Sequence, residues 1–302
     1  MTEDKAKLTF LGTGTSQGVP IIGCDCPVCT SGDSRDKRFR SSALVEYGGL
    51  TVLIDCGPDF RSQMLRAGVS HVDAILLTHN HKDHTGGLDD VRSLNLCEKK
   101  PVNIYCQQYV IDAMKKDYSY AFAEKLYPGA PIIRMNLIGG GVGDEYGAKP
   151  FEIHSNLIEP DLVWESGKGW KDVGSEVLSD PRALRKVTVI PIQGWHHKAH
   201  ELSVLGYRFG NIAYLTDLNN INDCEFEKLK GLDYVTVNSV KYTKHYSHFS
   251  LPEALEFFDR VGARQSYLTH ISHLFPVHEQ LDRELQAYNP SYHVAYDGLV
   301  LE

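Results

Sequence analysis

Three histidines and one aspartate fall within six consecutive positions of the stretch ILLTHNHKDHTGG (75–87). They are His79, His81, Asp83 and His84. Neutral imidazole is the commonest side-chain ligand for metal ions, and carboxylate oxygen is another frequent one. The spacing therefore predicts a metal site directly after the aliphatic run that precedes these residues.

Further residues of ligand type follow other apolar runs that resemble β-strands. His196 follows VTVIPI, Asp217 follows NIAYLT and His270 follows QSYLT. Because the carboxyl ends of neighbouring parallel strands lie together, these side chains are expected to converge on the histidine-rich stretch. The segment WHHKAH leaves His196, His197 and His200 as alternatives for its ligand, and the spacing from the strand favours His196.

The candidate ligands are too numerous for one tetrahedral ion. The set contains five histidines and two aspartates: His79, His81, Asp83, His84, His196, Asp217 and His270. Such a set suits two ions with one carboxylate shared between them. Nitrogen and oxygen donors without thiolate favour zinc, manganese or iron in an open site. Two adjacent ions suit displacement at phosphorus, because they can hold both the attacking and the leaving oxygen.

Short β-rich runs and amphipathic helical patterns must position these residues. Strands are predicted at 7–12, 42–47, 51–55, 73–78, 102–106, 187–192, 203–209, 211–216, 233–238, 265–269 and 293–301, and helices at 59–68, 108–126, 250–262 and 275–288. Ser250 with Glu253 forms a capping box, and Gly262 suits the end of that helix. The mixture predicts one α/β domain over residues 1–302 with two sheets or one large one. An irregular insert around 139–185 is expected to act as a lid or a dimer contact.

Composition restricts the class of partner and the compartment. The 302 residues carry a net charge of −8, so that no overall basic field attracts nucleic acid or anionic membranes. The N-terminal stretch lacks a cationic and apolar leader, and no apolar run approaches about 18 residues, so a cytoplasmic location is expected. Seven cysteines argue against a disulfide framework, and three of them cluster at Cys24, Cys26 and Cys29, as in metal or redox sites.

The H-x-H-x-D-H pattern and the later candidate ligands resemble the metallo-β-lactamase superfamily. That resemblance implies a four-layer αββα sandwich with a dinuclear site at its rim. It also implies that one ion is held by His79, His81 and His196, that the other is held by Asp83, His84 and His270, and that Asp217 bridges the two.

Six segments resemble the PhnP-type phosphodiesterases over nearly the whole chain. They are GTGTSQGVPIIGCDCPVC (12–29), IDCGPDFRSQML (54–65), GGLDDVR (86–92), AYLTD (213–217), HFSLPEAL (248–255) and LTHISH (268–273). Members of that family hydrolyse phosphoribosyl cyclic phosphate in phosphonate breakdown, typically with manganese. The resemblance implies a structural zinc held by Cys24, Cys26, Cys29 and His273, which is a closed tetrahedral set.

The same resemblance implies that His248, just before a helix, is a general acid. Asp83 is the second residue with an expected catalytic role, and His245 is a candidate substrate contact. The predicted function is a metal-dependent phosphodiesterase for a small cyclic or nucleotide-like phosphodiester. In that reaction a metal-bridging hydroxide attacks phosphorus and His248 protonates the leaving oxygen.

Three alternatives stay open. An RNA-processing nuclease of the tRNase Z type would need a basic patch or an appended arm, which the acidic balance disfavours. A non-phosphoester hydrolase and a nucleotide-binding protein without catalysis are the others. The expected cofactors are two active-site ions, manganese or zinc, and one structural zinc. The expected partner is a small phosphodiester or nucleotide. Membranes and nucleic acid are not expected, and a homodimer is left open.

Overall fold

Two β-sheets pack face to face, and helices cover their outer surfaces. The computed structural model describes residues 5–139, 148–155, 162–165, 169–172, 185–197 and 202–302. Of residues 162–165 and 169–172 it describes the backbone.

The first sheet has seven strands, four of them parallel. In chain order they are β1 (Lys7–Gly12), β2 (Ser42–Tyr47), β3 (Leu50–Ile54), β4 (Ala74–Leu76), β5 (Val102–Cys106), β6 (Ile133–Leu137) and β17 (Val300–Leu301). Hydrogen bonds order them β17-β1-β2-β3-β4-β5-β6, with β3 to β6 parallel. The hairpin between β2 and β3 turns at Gly48 and Gly49, which both have positive φ, as a two-residue turn of this hand requires.

The second sheet also combines antiparallel and parallel pairing. Its strands are β7 (Phe151–His154), β10 (Lys186–Trp195), β11 (Ser203–Phe209), β12 (Ile212–Tyr214), β13 (Asn220–Ile221), β14 (Tyr234–Asn238), β15 (Gln265–Thr269) and β16 (Tyr292–Val294). The order is β13-β10-β11-β12-β14-β15-β16, with β7 paired to β10. Strands β12, β14, β15 and β16 are parallel. A separate hairpin joins β8 (Leu162–Glu165) to β9 (Gly169–Asp172).

Each α-helix of the described residues lies between two strands in the sequence. They are α1 (Phe60–Ala67), α2 (Lys82–Thr85), α3 (Arg92–Glu98), α4 (Gln108–Asp117), α5 (Leu251–Val261) and α6 (His278–Tyr288). The predicted capping box of Ser250 and Glu253 is confirmed, and Gly262 ends α5 with a φ of 63°. No helix in the described part of the chain is both long enough and apolar enough to cross a bilayer.

Three apolar clusters define the layers. The central one lies between the sheets and contains Phe10 of β1 and Tyr214 of β12. A second fills the space between the first sheet and its helices, with Met114 of α4. A third lies between the second sheet and its helices, with Phe258 of α5. The layer order is therefore helix, sheet, sheet, helix, which confirms the predicted αββα sandwich.

The chain departs from the predicted elements in a few places. The single strand predicted at 293–301 is wrong, because β16 and β17 belong to different sheets and the chain turns between them at Gly298, which has a φ of 96°. The helix predicted at 108–126 ends at Asp117, after which the Tyr118 hydroxyl bonds to the Thr85 carbonyl. Strand β6 was not predicted.

The 139–185 stretch is described in part. Its described residues add β7 to the second sheet and form the β8–β9 hairpin. The rest of this stretch, on which the expected lid or dimer contact depends, lies outside the described residues.

Candidate functional site

Loops after strands from both sheets meet at one rim of the sandwich. Strand β4 belongs to the first sheet, whereas β10, β12 and β15 belong to the second. Hydrogen bonds join the sheets at this point. The Leu205 amide donates to the Thr78 carbonyl (3.0 Å), and the Tyr207 hydroxyl donates to the Leu77 carbonyl (2.7 Å). The rim therefore collects strand ends that are far apart in the sequence.

A first group of ligand-type side chains consists of His79, His81 and His196. One ring nitrogen from each lies within 4.8 Å of the others. The Thr78 hydroxyl donates its proton to Asp55, so that it accepts from Nδ1 of His79 (2.9 Å) and leaves Nε2 of that ring unprotonated. Nδ1 of His196 bonds to the carbonyl of Asp217 (2.8 Å), with the same effect. Both rings are thus oriented as metal ligands normally are.

The structure distinguishes between the histidines of WHHKAH. His196 is buried and belongs to the first group. The ring of His197 lies 5.1 Å from that of His196, but it packs on Tyr246 and joins no ligand group. His200 lies outside the described residues.

A second group consists of Asp83, His84, Asp217 and His270. Nε2 of His84 is 3.2 Å from Oδ2 of Asp83 and 3.2 Å from Oδ2 of Asp217. Nε2 of His270 is 3.2 Å from the other oxygen, Oδ1, of Asp217. The Asp217 carboxylate therefore presents its two oxygens to two different imidazoles.

Asp217 also connects this group to the first one. With His196 and His248 it forms a third set of donors within 4.8 Å. The His248 ring lies 4.7 Å from the His196 ring and 4.6 Å from the His270 ring, and its Nδ1 is 3.6 Å from Oδ1 of Asp217. His245 stacks on His248 at 5.1 Å and belongs to no ligand group.

These donors fit divalent metal ions. Within the described residues, Nε2 of His79 is buried and has no hydrogen-bond partner, although buried polar atoms are normally paired. Bonds of about 2.0–2.2 Å to one ion separate neighbouring N and O ligands by about 3–3.5 Å. The observed spacing of 3.2 Å agrees with that value.

The electrostatics of the groups support the same fit. Burial lowers the pKa of His79 well below its usual value and that of His196 to about 4, which keeps both rings neutral. Burial alone would raise the pKa of Asp217, but the His270 and His84 imidazoles hold it well below its usual range. Burial opposes protonation of His84 too, yet the carboxylates around it raise its pKa. A divalent ion would replace that proton as the balance for the carboxylates.

Asp55 is a component of the site that the sequence did not single out. It is fully buried, and its Oδ2 lies 2.6 Å from Nδ1 of His84. It also accepts from the Thr78 amide (2.8 Å) and hydroxyl (2.9 Å). Such an outer carboxylate fixes the orientation of a histidine ligand. The available signal was its position, because Asp55 directly follows β3, the strand next to β4.

Backbone conformation is unusual at this rim. Asp55, Asp217 and His270 have φ values of 62°, 58° and 56°, and among the described non-glycine residues Lys99 alone shares this left-handed conformation. Each such residue costs of order 1–3 kcal/mol, and such strain clusters at functional sites. Each follows a strand, so that the sharp turn directs its side chain to the rim.

Glycines let the loop with Asp83 and His84 pack backbone against backbone. A Cβ on Gly57 would lie 2.0 Å from the Asp83 carbonyl oxygen, and one on Gly87 would lie 2.1 Å from that of Gly57. In the space that this leaves, the Cys56 amide donates to the His84 carbonyl (2.8 Å). The position of the loop thus depends on the absence of side chains at both glycines.

A separate cluster contains Cys24, Cys26, Cys29 and His273. The three sulfurs lie 3.3, 3.5 and 3.7 Å from Nδ1 of His273. Zinc bonds of about 2.3 Å to sulfur and 2.0 Å to nitrogen in a tetrahedron separate these atoms by about 3.5 Å. The backbone amide of Cys29 lowers the pKa of Cys26 to about 6, whereas burial raises that of Cys29 to about 11. The four residues therefore fit a tetrahedral zinc.

This cysteine cluster is tied to the rim through the loop after β15. The Ile271 amide, next to His270, donates to the carbonyl of Thr13 (2.8 Å), and Ile271 pairs with Gly14. His273 follows two residues later. The loop after β1 is therefore fastened to the loop that carries His270.

Comparison with known proteins gives consistent results. The family model described as "Beta-lactamase superfamily domain" matches residues 51–159 and 173–271. A crystal structure of a diphosphatase from the PhnP family has a TM-score of 0.77 and 34% identity, and the match covers 99% of this chain and 98% of that one. Zinc-bound PqqB from Methylobacterium extorquens has a TM-score of 0.67 at 18% identity, covers 98% and 99% of the two chains, and shares the fold.

A curated relative is a longer protein. The octanoyltransferase of Porphyromonas gingivalis is 35% identical over 292 residues, which make up 96% of this chain and 50% of that protein. The chain thus spans about half the length of the curated relatives that it matches first.

Proposed function

Because this chain belongs to the metallo-β-lactamase superfamily, we propose that it is a metal-dependent phosphodiesterase for a small cyclic or nucleotide-like phosphodiester. The protein is a hydrolase of the metallo-β-lactamase fold, and that fold implies divalent metal ions such as zinc. The proposal of phosphodiesterase activity rests on the position of His248, whose ring lies against His196 of the first ligand group and His270 of the second. The 34% identity to a PhnP-family diphosphatase supports a phosphorus-centred reaction.

The proposed ligands follow the two groups. One ion would be held by His79, His81 and His196, the second by Asp83, His84 and His270, and Asp217 would contribute to both. Ions bound there supply Lewis acidity that neutralises charge on a phosphate and makes water a better nucleophile. The Cys24, Cys26, Cys29 and His273 cluster would hold a structural zinc.

His248 is proposed to deliver a proton to the departing oxygen. Burial and the nearby His270 lower the pKa of His248 well below its usual value. A phosphate anion placed beside the ring acts in the opposite direction and favours the protonated form. The ring, with a side chain that is 12% exposed, is accessible from the rim.

Two further residues complete the proposal. Asp83 is partly buried beside His84, and its carboxylate would help to hold the second ion. In that position the carboxylate would also lie next to the reacting phosphate. His245 stacks on the outer side of His248, with an interplanar angle of 30°, and half-buried there it would contact the substrate beyond the phosphate.

Replacement of His248 by alanine tests the acid role. General acid catalysis contributes about 10²–10⁴-fold, and leaving groups of high pKa depend on it most. His248→Ala is therefore expected to slow hydrolysis of a ribosyl cyclic phosphate by about that factor, and to slow bis(p-nitrophenyl) phosphate far less. The matched control is His197→Ala, since the His197 ring also lies next to His196 but joins no ligand group.

Metal analysis accompanies these rates. Unchanged metal content with a loss restricted to the poor leaving group supports the acid role. Equal losses on both substrates would exclude it, and loss of an ion equivalent would make His248 a ligand instead.

A substrate screen tests the reaction class. Cyclic phosphates, dinucleotides and aryl phosphodiesters are expected to be hydrolysed, whereas a precursor tRNA, a thioester and a lactam are not. Faster turnover of any of the last three would replace the proposal with the corresponding alternative. An acyl-transfer activity is not carried over from the octanoyltransferase relative, because this chain matches half of that protein.

A further inference from the structure

The peptide bond between His248 and Phe249 is held from both of its polar ends. Its carbonyl, on His248, accepts from Nδ2 of Asn219 (3.0 Å). Its amide, on Phe249, donates to the carbonyl of Leu218 (2.8 Å). Two bonds to one peptide plane fix its orientation, and with it the direction in which the His248 side chain leaves the backbone.

Asn219 fastens His245 in the same way. Its amide group has two hydrogens, and Nδ2 also donates to the carbonyl of His245 (3.2 Å). Asn219 is 3% exposed, so that these bonds are shielded from water. Its own backbone amide donates to the carbonyl of Trp195 (2.8 Å), the residue before His196. Asn219 thus connects the loop of both histidines, through its side chain, to the end of β10, through its backbone amide.

Leu218, whose carbonyl accepts from the Phe249 amide, is itself held in place. Leu218 lies between Asp217 and Asn219, and Asn238 binds it twice. Oδ1 of Asn238 accepts from the Leu218 amide (2.7 Å), and Nδ2 donates to the Leu218 carbonyl (2.9 Å). The segment that carries the shared carboxylate is therefore also the segment that holds His248.

We propose that Asn219 is a positioning residue, which holds the His248 ring in register with the Asp217 carboxylate through the His248 carbonyl. Its catalytic consequence rests on the acid role proposed for His248. Asn219 supplies no donor to the ligand groups, and its side chain bonds to the loop at the His245 and His248 carbonyls. Since misplacement of a reacting group by about 1 Å can cost about 10²-fold in rate, loss of this contact is expected to slow turnover.

The variant Asn219→Asp tests the positioning directly. It keeps the size of the side chain but replaces the donor with a carboxylate, which repels both carbonyls. Asn219→Ala, which removes the donor without adding charge, serves if the aspartate variant does not fold. The matched control is Asn220→Ala, the neighbouring asparagine, whose Oδ1 accepts from the amide of Ile221.

The first readout is structural. In the zinc-loaded protein, ¹⁵N imidazole signals of His248 are assigned by their absence in His248→Ala. We expect these signals to shift or broaden in Asn219→Asp and to stay in place in Asn220→Ala. The zinc content is expected to be equal in the wild type and in these two variants. An unchanged His248 signal in Asn219→Asp, or an equal change in both variants, would overturn the positioning role.

The second readout is kinetic. Asn219→Asp is expected to lower kcat for a ribosyl cyclic phosphate by about ten- to a hundredfold, with little change for the p-nitrophenyl diester. In the double variant, Asn219→Asp is expected to cause no loss of kcat beyond that of His248→Ala. Full additivity of the two losses would overturn the inference. If His248→Ala itself does not distinguish the two substrates, the acid role fails, and the imidazole signals alone decide whether Asn219 positions the ring.

Discussion

The two clusters of ligand-type side chains in this protein are built in opposite ways. The cysteine cluster takes three of its four donors from one six-residue stretch, and His273 comes from the loop after β15. The histidine–aspartate groups take their donors from loops after β4, β10, β12 and β15, which belong to both sheets. One cluster is almost a local property of the chain, whereas the other exists because the sandwich brings distant strand ends together.

The surroundings of the donors differ as well. In the rim, outer groups fix individual rings, as Asp55 does for His84 and Thr78 for His79. In the cysteine cluster the sulfurs are bonded chiefly to backbone amides of the same loop and to His273. We therefore expect damage to the rim to reduce turnover, and damage to the cysteine cluster to reduce stability.

The largest effect is expected from Asp217→Asn. The substitution keeps the shape but removes a carboxylate charge that lies in the second ligand group and also beside His196 of the first. Loss of a shared ligand should exceed the 10–100-fold cost of losing an outer partner, so activity is expected to fall by about 10³-fold or more, with loss of at least one metal equivalent. Activity assays with metal analysis decide this. A fully loaded and active variant would show that Asp217 is not a shared ligand.

Cys26→Ser is expected to have the next largest effect, on stability. The proposed zinc would lose one of its thiolate ligands, and losing an ion present at about a hundred times its Kd costs about 3 kcal/mol. For a chain of this size the Tm should fall by about 5 °C. Calorimetry and zinc analysis test this, with Cys97→Ser, an exposed cysteine outside the cluster, as the control. An unchanged Tm together with full zinc content would contradict the structural role.

Asp55→Asn should have an intermediate effect on the rim. Asparagine tolerates the positive φ of this position, but it cannot accept from His84 and Thr78 as the carboxylate does. Metal affinity or activity is expected to fall by about 10–100-fold. The control is Asp73→Asn, another buried carboxylate, which directly precedes β4 and contacts His71. If both variants lose activity equally, the effect is general and Asp55 has no specific role.

The smallest effect concerns His71, a histidine between carboxylates away from both clusters. Hydrogen bonds to Asp73 and Glu98 raise its pKa to about 9, against an unfolded value of 6.5. A raised pKa in the folded state gives stability that is complete below pH 6.5 and is lost as the pH rises through about 9. Because the side chain is 41% exposed, the amount is below about 1 kcal/mol. Urea unfolding from pH 6 to 10 should show this decline in the wild type and a flatter profile in His71→Gln.

Much of the fold and site was predictable because it depends on local pattern. The bounds of β1, β2, β5, β11 and β15 match the apolar runs, and the Ser250–Glu253 box marks the start of α5. Ligand-type residues after apolar strands pointed to the rim, since parallel strand ends meet. The division of the run at 293–301 into β16 and β17 was not predicted, because the pattern of one apolar run does not show that the chain changes sheets at Gly298.

The sequence by itself determined which donor types this protein possesses, that they stand at strand ends, and that three thiols cluster in one loop. The tertiary structure decided that His196 rather than His197 joins the first group, that Asp55 supports His84, and that Asn219 holds the peptide after His248. These contacts join residues that are 29 positions apart in the chain or that follow strands of different sheets. Asp55 and Asp217 also adopt left-handed turns, and the loop with His84 packs against glycine backbone, so that these contacts follow from the folded chain and from no local pattern alone.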